Sequence, residues 1–273
     1  MFDKAGNLYG ATTFGGTKGT TCDAFYGGQC GVVFELSPPK QKGGKWTETV
    51  LHRFAGIAPG KQYGDGAEPY GSLVLDSKGA IYGTTFIGGF NCPQFQGVGC
   101  SVAFQLKPPT KKGDTWTEKI LHRFTDGNDG AGANPGLIFD SNGALYGATG
   151  LGGRQGSGVI FRLVEGKQNG RWTETVLHNC QGTKEDSEAH IQLFDSLGDL
   201  YFLTGGIDRL KPPKRKGGSW TLNVLYSFQG PPDGRSPLAL VFGADGALYG
   251  TTLYGGTGQS CQGGCGTVFE SLP

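Results

Sequence analysis

Six of the seven cysteines fall in local pairs: Cys22 with Cys30, Cys92 with Cys100, and Cys261 with Cys265. Such spacing suits a disulfide or part of a metal site. No histidine recurs beside the pairs, and they lie in different stretches of the chain. Three disulfides pinning loop tips are therefore preferred over zinc, and disulfides persist in oxidising compartments. The histidines His52, His122 and His178 share one recurring phrase, in which Tyr226 takes their place in a fourth copy. They read as strand residues rather than general bases, and His190 alone stands outside the pattern. No serine has a Gly-x-Ser-x-Gly setting. A glycosidase pair, two carboxyls roughly 5 to 10 Å apart, would have to come from Glu35, Glu165, Asp208 and Glu270. Asp65, Glu68, Asp126, Asp129, Glu185, Asp186, Glu188 and Asp233 could offer oxygens to a hard cation. No Asp-x-Asp-x-Asp loop appears, Asp126-Gly127-Asn128-Asp129 being the nearest, and solvated turns are the preferred reading. No catalytic residue, metal or cofactor is assigned.

Whatever chemistry exists must be positioned by a repeat. Five times the chain returns to one phrase: Asn7 to Thr12, Ala80 to Thr85, Ala144 to Thr149, Asp199 to Thr204 and Ala247 to Thr252, best stated as Ala80-Ile81-Tyr82-Gly83-Thr84-Thr85. A second phrase, Trp46-Thr47-Glu48-Thr49-Val50-Leu51-His52-Arg53-Phe54, is echoed at Trp116 to Phe124, Trp172 to Cys180 and Trp220 to Phe228. Between them lie Val32 to Leu36 and its copies, and ahead of the tyrosine phrase comes Leu73-Val74-Leu75-Asp76. Each unit thus has a first, second, third and fourth strand. Alternation predicts Trp46, Glu48, Val50, His52 and Phe54 on one face. Glycine-rich turns leave no window for a helix. Asp76-Ser77-Lys78-Gly79 reads as a type I turn whose fourth position suits left-handed glycine.

Tandem four-stranded antiparallel meanders predict an all-β chain, a β-propeller of about five blades with incomplete first and last blades. The units run approximately 1–70, 71–135, 136–189, 190–236 and 237–273 of a single domain. Both ends cut a repeat in mid-unit, so a piece of a longer protein is expected. The 52 glycines among 273 residues sit at recurrent turns rather than marking disorder. A net charge of +1, from 24 basic and 23 acidic residues, excludes a globally basic nucleic-acid binder. No apolar run approaches the roughly 18 to 20 residues of a membrane span, no secretion leader is visible, and a monomer is expected. Cys180 takes the place of Phe54, Phe124 and Phe228 and reads as a buried thiol.

The phrase Asp-x-x-Gly-x-Leu-Tyr-Gly-Thr-Thr-x-x-Gly-Gly, clearest at Asp76 to Gly89, with Gly-x-Val-Phe-x-Leu at Gly31 to Leu36, resembles the tandem GloVer repeats of gloeobacterial and verrucomicrobial proteins. The resemblance covers nearly the whole chain and departs most in unit four, where Phe202 replaces the glycine after tyrosine. It implies an exported bacterial protein, often surface-attached through varied anchors, with propeller-like folding and no established activity. It carries over no catalytic residue. A shorter likeness to NHL and gluconolactonase-like repeats imports no metal site.

In a meander, turns after the first and third strands share one face, and half of the chain's 24 basic residues lie after the third strands, as at Lys40, Lys42 and Lys45. Keeping exposed tips soluble is the preferred reading of that rim. The opposite face has long, cysteine-bearing loops in units one, two and five. Phe14, Phe25, Tyr26, Phe86, Phe90, Phe95 and Tyr254 add aromatic surface there, with amides beside them. Rigid aromatic loops suit stacking on sugars. The expectation is a secreted or cell-surface, non-enzymatic module binding polysaccharide or a surface protein. The alternatives are a polysaccharide-active hydrolase or lyase and a passive spacer.

Overall fold

The computed structural model describes residues 1–272 except 17–21, 23–27, 59, 91, 93–99, 112, 184–188, 216, 259 and 262–263. Every regular element among them is a strand. The first sheet holds β1 (Leu8–Thr12), β2 (Val32–Ser37) and β3 (Thr47–Arg53). In the second are β4 (Ala67–Pro69), β5 (Val74–Leu75), β6 (Ile81–Phe90), β7 (Cys100–Lys107) and β8 (Thr117–Arg123). The third contains β9 (Ala131–Ala133), β10 (Ile138–Phe139), β11 (Leu145–Leu151), β12 (Val159–Glu165) and β13 (Trp172–Asn179). The fourth comprises β14 (His190–Phe194), β15 (Leu200–Leu203), β16 (Gly206–Lys211) and β17 (Thr221–Ser227), and the fifth β18 (Arg235–Phe242), β19 (Leu248–Tyr254) and β20 (Val268–Ser271). All are antiparallel meanders in chain order, as expected from the repeat.

The tyrosine phrase is a brace. Asp76 Oδ1 accepts the N–H groups of Lys78 and Ala80, and Oδ2 accepts the Tyr82 hydroxyl at 3.0 Å. Gly79 supplies the left-handed φ of 82° that closes the turn. The same acid holds the same hydroxyl at Asp3–Tyr9, Asp140–Tyr146 and Asp195–Tyr201, and in the fifth sheet Asp245 reaches Tyr249 from a shifted position. After the tyrosine, glycine is required by a ring: a Cβ on Gly83 would lie 2.7 Å from Phe104 Cζ. Unit four keeps the fit by exchanging the partners. Phe202 stands on the glycine position and Asp208 on the phenylalanine position, directly opposite one another across β15 and β16, and both are buried.

Two features depart from the sequence reading. The first strand of units two and three is broken in two: β4 and β5 both pair with β6, through Ala67↔Ile87, Pro69↔Thr85 and Val74↔Tyr82. Glu68, expected in a loop, is therefore in a strand. The strict alternation of the fourth strand also fails. Pairing jumps from Val33↔His52 to Phe34↔Val50, leaving Leu51 as an extra residue, and the bulge recurs at Leu121, Leu177 and Leu225. Consequently Trp116 and Ile120 pack between the first and second sheets, whereas Leu121 and Phe124 pack between the second and third.

Four hydrophobic cores join consecutive sheets. Buried phenylalanines Phe54 and Phe228 pack edge-on to Phe104 and Phe269 of the following sheet, and Phe124 packs at a tilt on Phe161, each burial being worth about 1.5–3 kcal/mol. At the rim, the tyrosine of one sheet meets the tryptophan of the next: Tyr9–Trp116, Tyr82–Trp172 and Tyr146–Trp220, with ring centroids 6.4, 6.0 and 6.1 Å apart. Among the described residues no core joins the fifth sheet to the first. Trp46 on the first is 48% exposed and Val268 on the fifth 82%.

Candidate functional site

All three expected disulfides form, Cys22–Cys30, Cys92–Cys100 and Cys261–Cys265. Cys22, Cys30, Cys92 and Cys100 are buried in the inter-sheet cores, and Cys180, outside the three bridges, is buried between the third and fourth sheets. Closing loops of this length restricts the unfolded chain by roughly 2–3 kcal/mol per bridge.

The predicted aromatic residues divide. Phe25, Tyr26 and Phe95 lie outside the described residues. Phe14 is half-buried in the segment after β1. Phe86 and Phe90, at the end of β6, are half-buried against the cores on either side of the second sheet. Tyr254, in the fifth sheet, is 37% exposed with the Arg235 guanidinium 5.5 Å from its ring. The structure therefore places Phe86 and Phe90 on opposite sides of the second sheet and leaves Tyr254 on a sheet that, among the described residues, no core connects to the first.

One aromatic escaped the sequence reading. Tyr63, in the loop between β3 and β4, is 55% exposed. Its backbone bridges to Phe90 and its ring stacks on that ring at 5.6 Å. Phe90 is in turn the cross-strand partner of Cys100, next to the Cys92–Cys100 bridge. Arg123 places its guanidinium 5.5 Å from the Tyr63 ring and donates from Nη2 to the Gly64 carbonyl at 3.1 Å. The result is an exposed ring with a cation beside it, held by a disulfide-closed hairpin. The loop's signal in sequence was its acid, Asp65, and the tyrosine two residues earlier has no counterpart in the other units.

Below this loop, side chains from two sheets converge. His52 Nε2 of β3 lies 3.6 Å from Asp65 Oδ2 and 3.9 Å from Glu118 Oε1 of β8. Asp65 is aimed by the Ala55 N–H, which reaches both its oxygens at 3.0 and 3.2 Å. Burial pushes the Glu118 carboxyl up to about 8, with the Asp65 charge adding to the shift and Arg123 opposing it. One unit on, His122 Nε2 meets Asp129 Oδ2 at 3.1 Å, and Asp129 also accepts the Thr125 N–H and hydroxyl. Although burial raises the Asp129 carboxyl, the hydrogen bonds from His122 and Thr125 outweigh it and hold the group below its usual range. Glu174 rises to about 7 through burial, opposed by His122 and assisted by Asp129. Next to the fourth sheet the pair becomes Tyr226 donating to Asp233 at 2.6 Å. His52 and His122 thus stand beside acid partners, a role that strand alternation alone does not assign them, and Asp65, Asp129 and Asp233 brace their turns.

Three of the four acids considered for catalysis have separate partners. Glu35 accepts the Ser37 hydroxyl, Glu165 pairs with Lys119 at 3.1 Å, and buried Asp208 accepts the Thr204 hydroxyl. On the opposite face, a cleft of about 770 Å³ between the third and fourth sheets is lined by Asp140, Tyr146, Arg162, Phe194 and Trp220. These are repeat positions already engaged in the brace and the rim contact. Among the described residues no helix is long and apolar enough to cross a membrane.

The family model for the Gloeobacter/Verrucomicrobia repeat matches residues 3–211. The chain belongs to that repeat family. No curated protein matches this Gloeobacter/Verrucomicrobia repeat protein. Among solved structures it is similar to a candidate gluconolactonase at 19% identity and a TM-score of 0.42, covering 80% of this chain and 67% of that one. PorZ, a surface component of the type-IX secretion system of Porphyromonas gingivalis, matches at 16% identity and 0.49, over 93% of this chain and 31% of its own. A bifunctional GH43-CE protein of Bacteroides eggerthii matches at 17% and 0.36, over 81% and 29%. The chain spans less than a third of the length of these last two. At such scores the fold rests on the repeat's own strand order.

Proposed function

We propose that the repeat protein is an exported, non-enzymatic propeller module that binds glycan through its disulfide-braced loop face, with Tyr63, Phe90 and Arg123 at the centre of the site. The observation that carries this reading is the exposed Tyr63 ring, pinned through Phe90 to the hairpin closed by Cys92–Cys100. A pre-ordered ring loses little entropy on stacking against a sugar, and an adjacent guanidinium can donate to hydroxyl or carboxylate oxygens. Three disulfides support an oxidising compartment. The five sheets close into a ring in this reading. Three of the four internal interfaces join a tyrosine to the tryptophan of the next sheet; at the fourth, Tyr201 meets Phe242 because the fifth sheet has no tryptophan, which leaves Tyr249 of the fifth sheet and Trp46 of the first to meet on closure. Closure would set the loops of the fifth, first and second sheets side by side, with Phe14, Phe86 and Tyr254 extending the site.

The test is a glycan array run with the native chain and Tyr63→Ala. Binding that falls at least tenfold in the variant, with an unchanged melting temperature, is the expected result. Equal retention by both proteins would remove Tyr63 from the site. Release of reducing sugar from a bound polysaccharide would turn the reading toward a hydrolase or lyase, and silence in both assays toward a spacer.

A further inference from the structure

His52, Asp65 and Glu118 present three ligand atoms that lie within 4.8 Å of one another. Donors around a tetrahedral ion at about 2.1 Å from each are spaced by about 3.4 Å. The His52–Asp65 separation of 3.6 Å and the His52–Glu118 separation of 3.9 Å are slightly wider than that cage and too long for direct hydrogen bonds. Neither His52 Nε2 nor Glu118 Oε1 has a hydrogen-bond partner among the described residues, although both atoms are buried. A buried carboxylate oxygen and imidazole nitrogen without partners are costly unless something joins them.

The other units show that packing does not demand this arrangement. The position of Glu118 is Glu174 in the next unit and Leu222 in the one after, where leucine packs against the core. The position of His52 is Tyr226 in the fourth unit, bonded directly to its loop acid, and the His122–Asp129 pair likewise closes by direct contact. Among the described residues, it is at the interface of the first and second sheets that the three groups stand apart around a common point.

We propose that His52, Asp65 and Glu118 bind a first-row divalent transition ion of the Zn²⁺ class, clamping the first sheet to the second. One imidazole and two carboxylates form a mixed nitrogen and oxygen set, which suits such an ion better than magnesium or calcium. The elements of a supporting shell are present. Asp65 is oriented by the Ala55 N–H, and the His52 ring sits edge-on to Phe54 at 4.6 Å. Arg123 is the opposing charge beside Glu118, so the ion must be held by coordination rather than by charge alone. Since Asp65 follows Tyr63 and Gly64, the ion would also steady the loop that bears the exposed ring. The site stands independently of the glycan reading.

Untagged, oxidised protein stripped with a chelator is dialysed against micromolar Zn²⁺, and separately against Mn²⁺, Mg²⁺ and Ca²⁺. Elemental analysis should find one Zn²⁺ per chain, accompanied by a rise in melting temperature and an absorption-edge spectrum with a single imidazole in a nitrogen and oxygen shell. Glu118→Leu and His52→Tyr, substitutions that other units already contain, should each weaken retention at least tenfold, while His122→Tyr should leave it unchanged. Absence of retained Zn²⁺, a preference for Ca²⁺ or Mg²⁺, or equal binding by Glu118→Leu and His52→Tyr would overturn the assignment. Should either variant fail to fold, the stoichiometry and spectrum of the native protein decide.

Discussion

Gly83→Ala tests the steric account of the repeat most directly. The added methyl would lie 2.7 Å from Phe104 Cζ, 3.1 Å from Cε1 and 2.8 Å from Leu73 Cδ2, where carbon atoms prefer about 3.5–4.0 Å. Phe104 is fully buried and packs edge-on to Phe54 at 5.2 Å, so its ring has nowhere to retreat. Overpacking of this kind costs about 1–3 kcal/mol. Replacing glycine in ordinary strand geometry returns about 0.4–1 kcal/mol through the unfolded chain, so a net loss of about 1–2 kcal/mol is expected. Phe104→Leu alone should also destabilise, by less than the roughly 3–5 kcal/mol of full truncation. In the double variant the methyl occupies space the ring has left, and the two losses should fall short of their sum by at least about 1 kcal/mol. Urea unfolding of the four proteins, with slopes compared, measures this coupling. Additivity within about 0.5 kcal/mol, or a neutral Gly83→Ala, would refute the claim that glycine is there to admit the ring.

Two further outcomes follow from burial. Glu174 faces His122 and Asp129 and has its carboxyl raised from 4.5 to about 7; stability linked to its proton is therefore complete below pH 4.5 and drains as pH climbs through 7. Glu174→Leu should flatten the difference in urea midpoint across that window and stabilise the protein at pH 8 by about 1 kcal/mol after allowance for solvent screening, and an unchanged slope would contradict the burial of the acid. Trp172→Ala, which removes a ring lying on Tyr82, should cost about 2–3 kcal/mol; ring closure requires Trp46→Ala to cost a similar amount, and a loss below about 0.5 kcal/mol would leave the first sheet's outer face open.

The legible part of the fold is whatever a single unit encodes by itself. The Asp76–Tyr82 brace spans one turn, so in four of the five units its acid, glycine and tyrosine recur at constant offsets and announce the strand pair. The cysteine pairs are equally local. The bulge at Leu51 is not legible, because an extra residue in a β-ladder carries no compositional mark, and alternation then assigns Phe54 to the wrong face. Nor is β4 legible, since Ala67-Glu68-Pro69 has no apolar pattern and forms a strand only because β6 continues far enough to pair with it. The site residues escape for a different reason. Tyr63, Phe90 and Arg123 come from three segments, as do His52, Asp65 and Glu118, and only the packing of adjacent sheets brings them together. One signal is present in the chain nevertheless. In a repeat, a position held by glutamate in three copies, Glu48, Glu118 and Glu174, and by leucine in the fourth, Leu222, does not need its charge for packing. The one divergent copy, with Leu222 and Tyr226 at the glutamate and histidine positions, shows which members of the shared phrase carry chemistry that the fold does not itself require.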